Sequence, residues 1–120
     1  MHNANLALRF LLELAALAGF SIFVWGLTEG VWRFLAVGAA VVLLGVIWAT
    51  FAVPDDPSRS GSAPVPVPGI ARLVLEWGVL FGGAWAFYAV GYTWPGFWLA
   101  ALTVVHYLLW PSRIAWLLQN

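Results

Sequence analysis

The chain has 120 residues, of which 63% are apolar and 8% are charged, and its formal net charge is zero. Soluble domains carry about 25% charged residues, so this composition excludes an ordinary water-soluble domain and indicates the bilayer as solvent. The lack of a basic excess argues against a nucleic-acid partner, and the absence of cysteine excludes disulfides, thiolate chemistry and cysteine-ligated metal or iron–sulfur centres.

Four apolar runs are long enough to cross a membrane as helices, since a hydrocarbon core of about 30 Å needs roughly 20 helical residues. They cover about residues 5–27, 31–53, 69–91 and 97–118. Residues 1–120 therefore predict a single all-α membrane domain with four spans. Pro54 ends the second run because proline cannot continue the helical hydrogen-bond ladder. Pro111 is expected to kink the fourth run or to end its membrane-buried part.

The connections between the runs differ in length. Residues 28–30 and 92–96 are expected to form tight turns, whereas residues 54–68 form a longer linker rich in proline, serine and glycine. The linker ends in Pro-Val-Pro-Val-Pro, which predicts an extended, polyproline-like segment. We interpret this linker as a semi-rigid spacer.

The arginines predict the orientation in the membrane. Near the side shared by both termini and the linker lie four of the five, namely Arg9, Arg59, Arg72 and Arg113, and the other side has Arg33. The positive-inside rule then places both termini and the linker in the cytoplasm, and we expect a multi-pass protein of the bacterial inner membrane. The tryptophans fall mainly toward the two boundaries, as the aromatic belts of a spanning protein do.

The two halves of the sequence resemble each other when one is shifted by 63 positions, which is 72 minus 9. Arg9 then meets Arg72 and Glu13 meets Glu76, with further matches at Leu12/Leu75, Leu17/Leu80, Gly19/Gly82 and Phe34/Phe97. Each half holds two spans, so both halves have the same orientation and form a parallel repeat. The predicted fold is a four-transmembrane-helix bundle of two parallel-repeat helical hairpins, related by a pseudo-two-fold axis along the membrane normal.

Small residues predict the helix contacts. Helices in lipid associate through close packing rather than hydrophobic exclusion, so glycine and alanine mark the contact faces. Ala15 and Gly19 form a small-xxx-small step in the first span, and Gly78 and Gly82 repeat it in the third. The second span has a similar stripe that includes Gly38 and Gly45. We assign these six residues to helix packing.

The charged residues inside the spans form the candidate site. Residues four apart share a helical face, so Arg9 pairs in position with Glu13, and Arg72 with Glu76. A charge in hydrocarbon is costly unless it is paired, so these groups should face the bundle interior. The repeat also allows Arg9 to reach Glu76 and Arg72 to reach Glu13 across the pseudo-two-fold. We predict a cluster of all four at the cytoplasmic end, to which one face of the fourth span adds Thr103, His106, Trp110 and Arg113.

This constellation leaves three interpretations open. In the first, the ion pairs hold the bundle together, with a small polar or lipid-headgroup ligand as a candidate partner. In the second, the glutamates and His106 exchange protons in a small proton-coupled transporter, which would require a homodimer because four helices rarely enclose a pathway alone. The weakest is a membrane-embedded enzyme acting on a lipid or quinone. We assign no catalytic residues, no cofactor and no metal, since nearby arginines oppose a cation and one histidine is a thin ligand set.

The sequence also resembles a known family. The stretch from Asn5 to Leu17, NLALRFLLELAAL, is similar to the opening of the YrdB-like family of small bacterial integral membrane proteins. The segments from Trp48 to Pro54 and from Arg72 to Glu76, and the last span with His106, are similar too. The resemblance implies four spans and no assigned biochemical activity, so no catalytic residue is carried over from it.

Overall fold

The computed structural model describes residues 2–56 and 63–120, and this part of the chain is almost entirely helical. In chain order, the elements are α1 (His2–Leu27), α2 (Trp32–Thr50), β1 (Phe51–Ala52), β2 (Val65–Pro66), α3 (Gly69–Ala89), α4 (Thr93–Leu108) and α5 (Pro111–Gln119). By length and composition, α1, α2 and α3 could each cross a membrane. The pair α4 and α5 passes the same test together but is bent by 74°, so the count of candidate spans is three or four.

The break between α4 and α5 follows from proline chemistry. Pro111 is the first residue of α5, where its missing N–H is not needed, whereas inside a continuous helix it would remove a hydrogen bond. The expected kink or end at Pro111 is therefore present, but the predicted span over residues 97–118 is divided. At its other end, α4 begins at Thr93. Residues 92–96 are thus largely the first helical turn, because Pro95 lies where helical N–H groups lack partners anyway.

The linker is anchored to the end of α2. α2 ends at Thr50, before the predicted boundary at residue 53, and β1 pairs in parallel with β2 through Phe51 opposite Val65 and Ala52 opposite Pro66. The Val67 N–H also donates to the Ala52 carbonyl at 2.9 Å. The proline-rich end of the linker is extended, as expected, but it is hydrogen-bonded to the chain that precedes it. Residues 57–62, with Arg59, lie outside the described part.

The helices form a core of α1, α3 and α4, with α2 packed on α1 and α5 packed on α3. No residue of α2 is buried, so this helix is an outer layer. The buried apolar cluster lies between α1, α3, α4 and α5 and includes Leu12, Ala16, Leu73, Leu80, Phe87, Leu99, Tyr107 and Leu117.

Helices α1 and α3 approach each other closely. A Cβ added to Gly83 would lie 2.6 Å from the Ala16 Cα, and one added to Gly19 would lie 2.5 Å from the Gly83 carbonyl oxygen. At the other end of α3, a Cβ on Gly69 would overlap the Leu117 carbonyl. Glycine at position 69 therefore lets α5 lie against the first turn of α3, and this contact brings Arg113 to the site described below.

The small residues singled out in the sequence divide into two groups. Gly19 lies at the α1–α3 contact, a Cβ on Gly82 would lie 2.9 Å from the Phe20 ring, and Ala15 packs against the core. Cβ atoms on Gly38, Gly45 and Gly78 would meet nothing within 4 Å.

The expected close packing at this second group is therefore not met within a single chain. The reason for α2 is the direction of its contact face. Its half-buried side carries Val37, Leu44 and Trp48, and at about 100° per residue Gly38 and Gly45 point roughly 90° away from it.

Candidate functional site

Glu76 is the centre of the polar site and is fully buried, with 0% of its surface exposed. Its Oε2 lies 2.7 Å from Arg9 Nη2, 2.6 Å from Arg113 Nη2 and 3.0 Å from Arg72 Nε. Its Oε1 accepts the Tyr107 hydroxyl at 2.7 Å and Arg9 Nη1 at 3.3 Å. One carboxylate thus collects donors from four helices, α1, α3, α4 and α5.

Arg72 also ties α3 to the end of α2. Its Nη1 donates to the carbonyl oxygens of Trp48 at 2.6 Å and Phe51 at 2.8 Å. The last carbonyls of a helix lack intrahelical partners and carry partial negative charge, so a guanidinium is a favourable cap there. Because its Nε binds Glu76, one arginine joins the C-terminus of α2 to the central carboxylate.

Arg113 connects the site to the linker. Its Nη1 donates to Asp56 Oδ1 at 2.5 Å while its Nη2 binds Glu76. Asp56 is 5% exposed and follows Asp55, which has a φ of 63°, in the left-handed region. This turn directs the linker back onto α5. The sequence analysis interpreted residues 54–68 as a spacer, so Asp56 is a site residue that it missed.

We call Arg9, Arg72, Arg113, Glu13, Glu76 and Asp56 the ionic cluster. Its three arginines and three carboxylates balance formally, which matters because an uncompensated charge buried in a low-dielectric setting costs several kcal/mol. A third arginine within the predicted spans, beside two glutamates, was the sequence signal that a third carboxylate was needed.

Glu13 belongs to the cluster but occupies its edge. Its Oε1 lies 3.4 Å from Arg9 Nε, and its side chain is 27% exposed. Within the described residues, Arg9 is the ion-pair partner of Glu13. The predicted bridge from Arg9 to Glu76 is present, whereas the predicted bridge from Arg72 to Glu13 is replaced by the contact of Arg72 with Glu76 on its own helix.

Tryptophan rings flank the guanidinium groups. The Trp48 ring centroid lies 4.6 Å from the Arg72 Cζ and 5.4 Å from the Arg9 Cζ, distances at which a cation is attracted to an aromatic face. Trp110, predicted at the site, lies 5.7 Å from the Arg113 Cζ. Trp48 was assigned to a boundary belt, and its role under two arginines was not foreseen.

His106 lies beside the cluster but does not bind a glutamate. It is fully buried, and its Nδ1 lies 3.0 Å from the side-chain oxygen of Asn5. His106 Nε2 has no hydrogen-bond partner among the described residues. The His106 ring lies edge-on to the Tyr107 ring with 4.9 Å between their centroids, so Tyr107 connects His106 to Glu76. The Thr103 hydroxyl donates to the Leu99 carbonyl.

The arginines and the histidine pack against their partners and are almost completely covered. Arg9, Arg72 and Arg113 are 5%, 3% and 2% exposed, and His106 is 0% exposed. The space between these groups is therefore filled largely by the groups themselves. Glu13 instead lines a cavity of about 80 Å³ with Leu17, Leu44, Gly45, Trp48 and Val79. Within the described residues, no group of three or more His, Asp or Glu side chains could hold a metal ion.

Comparisons with known proteins place the chain in a family. A family described as "Protein of unknown function (DUF2568)" matches residues 7–104, a span that includes Arg9, Glu13, Arg72 and Glu76 and stops before His106. The "Uncharacterized protein YrdB" of Bacillus subtilis (strain 168) is 35% identical over 121 residues, covering 100% of this chain and 98% of that protein. No solved structure matches. The chain therefore belongs to the DUF2568 family, and the resemblance to YrdB-like proteins is confirmed.

Proposed function

We propose that this chain is a non-enzymatic, four-span protein of the bacterial inner membrane whose ionic cluster fastens the helices at their cytoplasmic ends. The observation that carries the proposal is the position of Glu76. This carboxylate is fully buried and is met by three guanidinium groups and one hydroxyl. Arg72 lies on the same helix as Glu76, and the other three donors come from α1, α4 and α5. The Glu76 carboxylate therefore links α3 to three other helices.

The membrane location is supported by the surface of the helices. α1, α2 and α3 are long and apolar enough to span a bilayer, and large apolar side chains such as Val42, Phe81 and Leu108 are exposed on them and on α4. In water such a surface would drive aggregation. In lipid it is solvated, and the fourth span of the bundle is then α4, with α5 bent away from it by 74°.

The ends of the helices support a cytoplasmic location for the cluster and both termini. Arg9, Arg72 and Arg113 all meet at one end of the bundle. Arg33 lies in the first turn of α2, at the opposite end, and its guanidinium donates to the carbonyls of Trp25 and Thr28. The positive-inside rule assigns the arginine-rich end to the cytoplasm.

α5 fits the boundary between the cytoplasm and the inner leaflet. Its buried face carries Arg113 and Leu117 and packs on the protein. At about 100° per residue, exposed Ser112 and Gln119 share a second face, and exposed Leu118 lies roughly 100° from them on a third. A helix with separate protein, water and lipid faces suits an orientation along the membrane surface.

A buried ion cluster is a reasonable fastener in this setting. Between lipid-embedded helices there is no hydrophobic driving force, so packing and polar contacts determine which helices associate and in what register. Removing one member of a buried ion pair is strongly destabilising because it leaves an unpaired charge. The cluster thus selects one arrangement of α1, α3, α4 and α5.

The parallel repeat is part of the proposal. Its support is the close approach of α1 and α3 at Ala16, Gly19 and Gly83 and the meeting of both Arg-Glu pairs in one cluster. We propose that the two hairpins have equivalent folds. The linker and α5 then account for the difference between the polar end with Arg9 and Glu13 and the polar end with Arg72 and Glu76.

The central experiment compares two matched substitutions. Glu76→Gln should lower the free energy of unfolding by about 3–5 kcal/mol because it strands three buried arginines. Glu13→Gln should cost about 1 kcal/mol or less, because its ion-pair partner Arg9 keeps its bonds to Glu76. Both are measured by denaturant titration in detergent micelles. Equal losses in the two variants would contradict the proposal.

Orientation is tested separately, and the cysteine-free sequence is suited to it. Single variants Gln119→Cys and Glu29→Cys are treated with a membrane-impermeant maleimide in intact cells and in inverted vesicles. We expect Gln119→Cys to react only in inverted vesicles and Glu29→Cys only in intact cells. The reverse pattern would overturn the orientation without affecting the fastening role.

A ligand or proton site is the second candidate function, and Glu13 is the observation that favours it. Glu76 is sealed, but Glu13 is 27% exposed and borders a cavity. A proton-coupled transporter, which would need a homodimer, would use Glu13 as its accessible carboxylate. The enzyme alternative has less support, because His106 bonds Asn5 and lies away from the cavity lining.

A further inference from the structure

The cavity beside Glu13 combines a charged acceptor with apolar walls. It has a volume of about 80 Å³ and lies where α1, α2 and α3 meet, with Trp48 and Gly45 contributed by α2. Arg9 Nε lies 3.4 Å from Glu13 Oε1, but both Nη atoms of Arg9 are directed to Glu76. Arg9 therefore serves Glu13 with one nitrogen and leaves the second carboxylate oxygen able to accept another hydrogen bond.

An ionised oxygen at this depth requires a donor. A carboxylate has acceptor sites on both oxygens, and leaving a charged acceptor without a hydrogen bond in apolar surroundings is costly. The remaining walls, from Leu17, Leu44 and Val79, are aliphatic. The site therefore offers one strong acceptor within a space suited to carbon.

The charge of the cluster decides what kind of donor fits. Its three arginines and three carboxylates already balance. A cation added next to Glu13 would leave an excess positive charge near Arg9 and Arg72, and an anion would be repelled by Glu13 itself. A neutral hydroxyl donates one hydrogen bond and leaves the balance unchanged, which favours an uncharged molecule.

Gly45 gives the cavity its opening. It is exposed on α2, and a Cβ at this position would meet nothing within 4 Å. Because α2 is the outer layer, with no buried residue, the opening between α2 and its neighbours faces the surrounding lipid. A molecule dissolved in the bilayer could enter with its head toward Glu13.

We propose that the Glu13 cavity is a binding site for the hydroxyl head of an uncharged, lipid-dissolved alcohol, held by a hydrogen bond to the carboxylate and by the aliphatic walls. The inference rests on the proposed membrane location. It does not depend on the fastening role of Glu76, which the unfolding measurements test by themselves.

The experiment follows the Glu13 carboxyl carbon by NMR. The sequence has three glutamates, Glu13, Glu29 and Glu76, so ¹³C-carboxyl labelling of glutamate gives three signals that single Gln variants assign. The full chain in lipid nanodiscs is titrated with 1-hexadecanol and, separately, with its methyl ether, which has no donor. We expect a saturable shift of the Glu13 signal with the alcohol and none with the ether, while the Glu76 signal stays unchanged.

Two glycine variants show whether the cavity is responsible. Gly45→Leu fills the opening while keeping Glu13, and it should abolish the saturable shift. Gly38→Leu places the same side chain two turns away on the same helix, outside the cavity lining, and should behave as the wild-type chain does. Both variants retain the signal being followed.

Several results would overturn the proposal. They are a shift of similar size with the ether, a linear response that does not saturate, or persistence of the alcohol shift in Gly45→Leu. If Glu13 gives no response to the alcohol while Glu76→Gln is still strongly destabilised, the alcohol site is wrong and the fastening role stands.

Discussion

The two Arg-Glu pairs of this chain have the same spacing and opposite surroundings. Arg72 and Glu76 lie at 3% and 0% exposure inside the protein, whereas the side chain of Glu13 is 27% exposed and has Arg9 as its ion-pair partner in the described structure. The difference comes from the neighbours: α4, α5 and the linker gather beside α3, and α2 covers α1 loosely. An intrahelical charge pair therefore becomes a fastener only when other elements cover it.

The largest expected effect is that the losses of unfolding free energy caused by substitutions at Glu76 and its partners do not add. Glu76→Gln alone should cost about 3–5 kcal/mol of unfolding free energy. Adding Arg9→Gln should cost much less than the sum of the two single changes, because it removes one of the stranded charges. In the matched cycle of Arg9→Gln with Glu13→Gln, the coupling energy should be smaller, because Arg9 meets Glu13 through Nε alone. Denaturant titrations in micelles measure both cycles, and additive behaviour around Glu76 would break the comparison.

Arg113 should have the next largest effect, since it holds both Glu76 and Asp56. Arg113→Gln should cost about 2–4 kcal/mol and detach α5 and the start of the linker. Arg113→Lys keeps the charge but cannot bridge two carboxylates with the geometry of a guanidinium, so it should restore only part of the loss.

Limited proteolysis of the C-terminal segment reports the detachment of α5 separately from global stability. The expected order of protection is wild type, Arg113→Lys, then Arg113→Gln. Equal protection in all three would show that α5 is held by its contact with Gly69 and not by the ionic cluster.

Substitutions at two glycines of α3 test the contact between α1 and α3, which brings the two Arg-Glu pairs together. Gly83→Leu should cost about 1–3 kcal/mol through overpacking, because a Cβ there would already lie 2.6 Å from the Ala16 Cα. Gly78→Leu should be close to neutral, since its added Cβ meets nothing within 4 Å. Thermal unfolding of both variants gives the contrast, and a larger loss at Gly78 would indicate a different α1–α3 contact.

Tyr107→Phe should have the smallest effect, about 1 kcal/mol, which is a typical net contribution of one hydrogen bond. The arginines still satisfy Glu76 when the hydroxyl is removed, and the ring keeps its edge-on contact with Trp77 at 5.9 Å. Thermal unfolding measures the loss. A cost as large as that of Glu76→Gln would mean that the hydroxyl, and not the guanidinium groups, holds the carboxylate.

The sequence predicted the parts of this structure that follow from local rules. The length of the apolar runs predicted the helices, and the properties of proline predicted the break at Pro111. The cost of placing a charge in hydrocarbon indicated that Arg9 and Glu76 would meet. The close approach at Gly19 followed from small-residue packing. Each of these depends on one or two residues and their immediate neighbours along the chain.

The contacts that could not be predicted from the sequence depend on how elements distant along the chain pack together. Asp56 reaches Arg113 only because the linker turns at Asp55 and α5 bends away from α4, and neither direction is encoded in spacing. The sequence analysis did not assign Asn5 or Tyr107 to the site. The repeat predicted equal roles for Glu13 and Glu76, but their different coverage comes from the linker and α5, which have no counterpart beside α1.

The most direct test of the central claim is a solid-state NMR measurement of dipolar contacts between ¹³C-labelled glutamate carboxyl carbons and ¹⁵N-labelled arginine guanidinium groups in lipid. The Glu76 carbon should show strong contacts that weaken stepwise in Arg9→Gln, Arg72→Gln and Arg113→Gln variants, while the Glu13 carbon responds only to Arg9→Gln. A Glu76 carbon with a single arginine contact, or a Glu13 carbon with as many contacts as Glu76, would contradict the account.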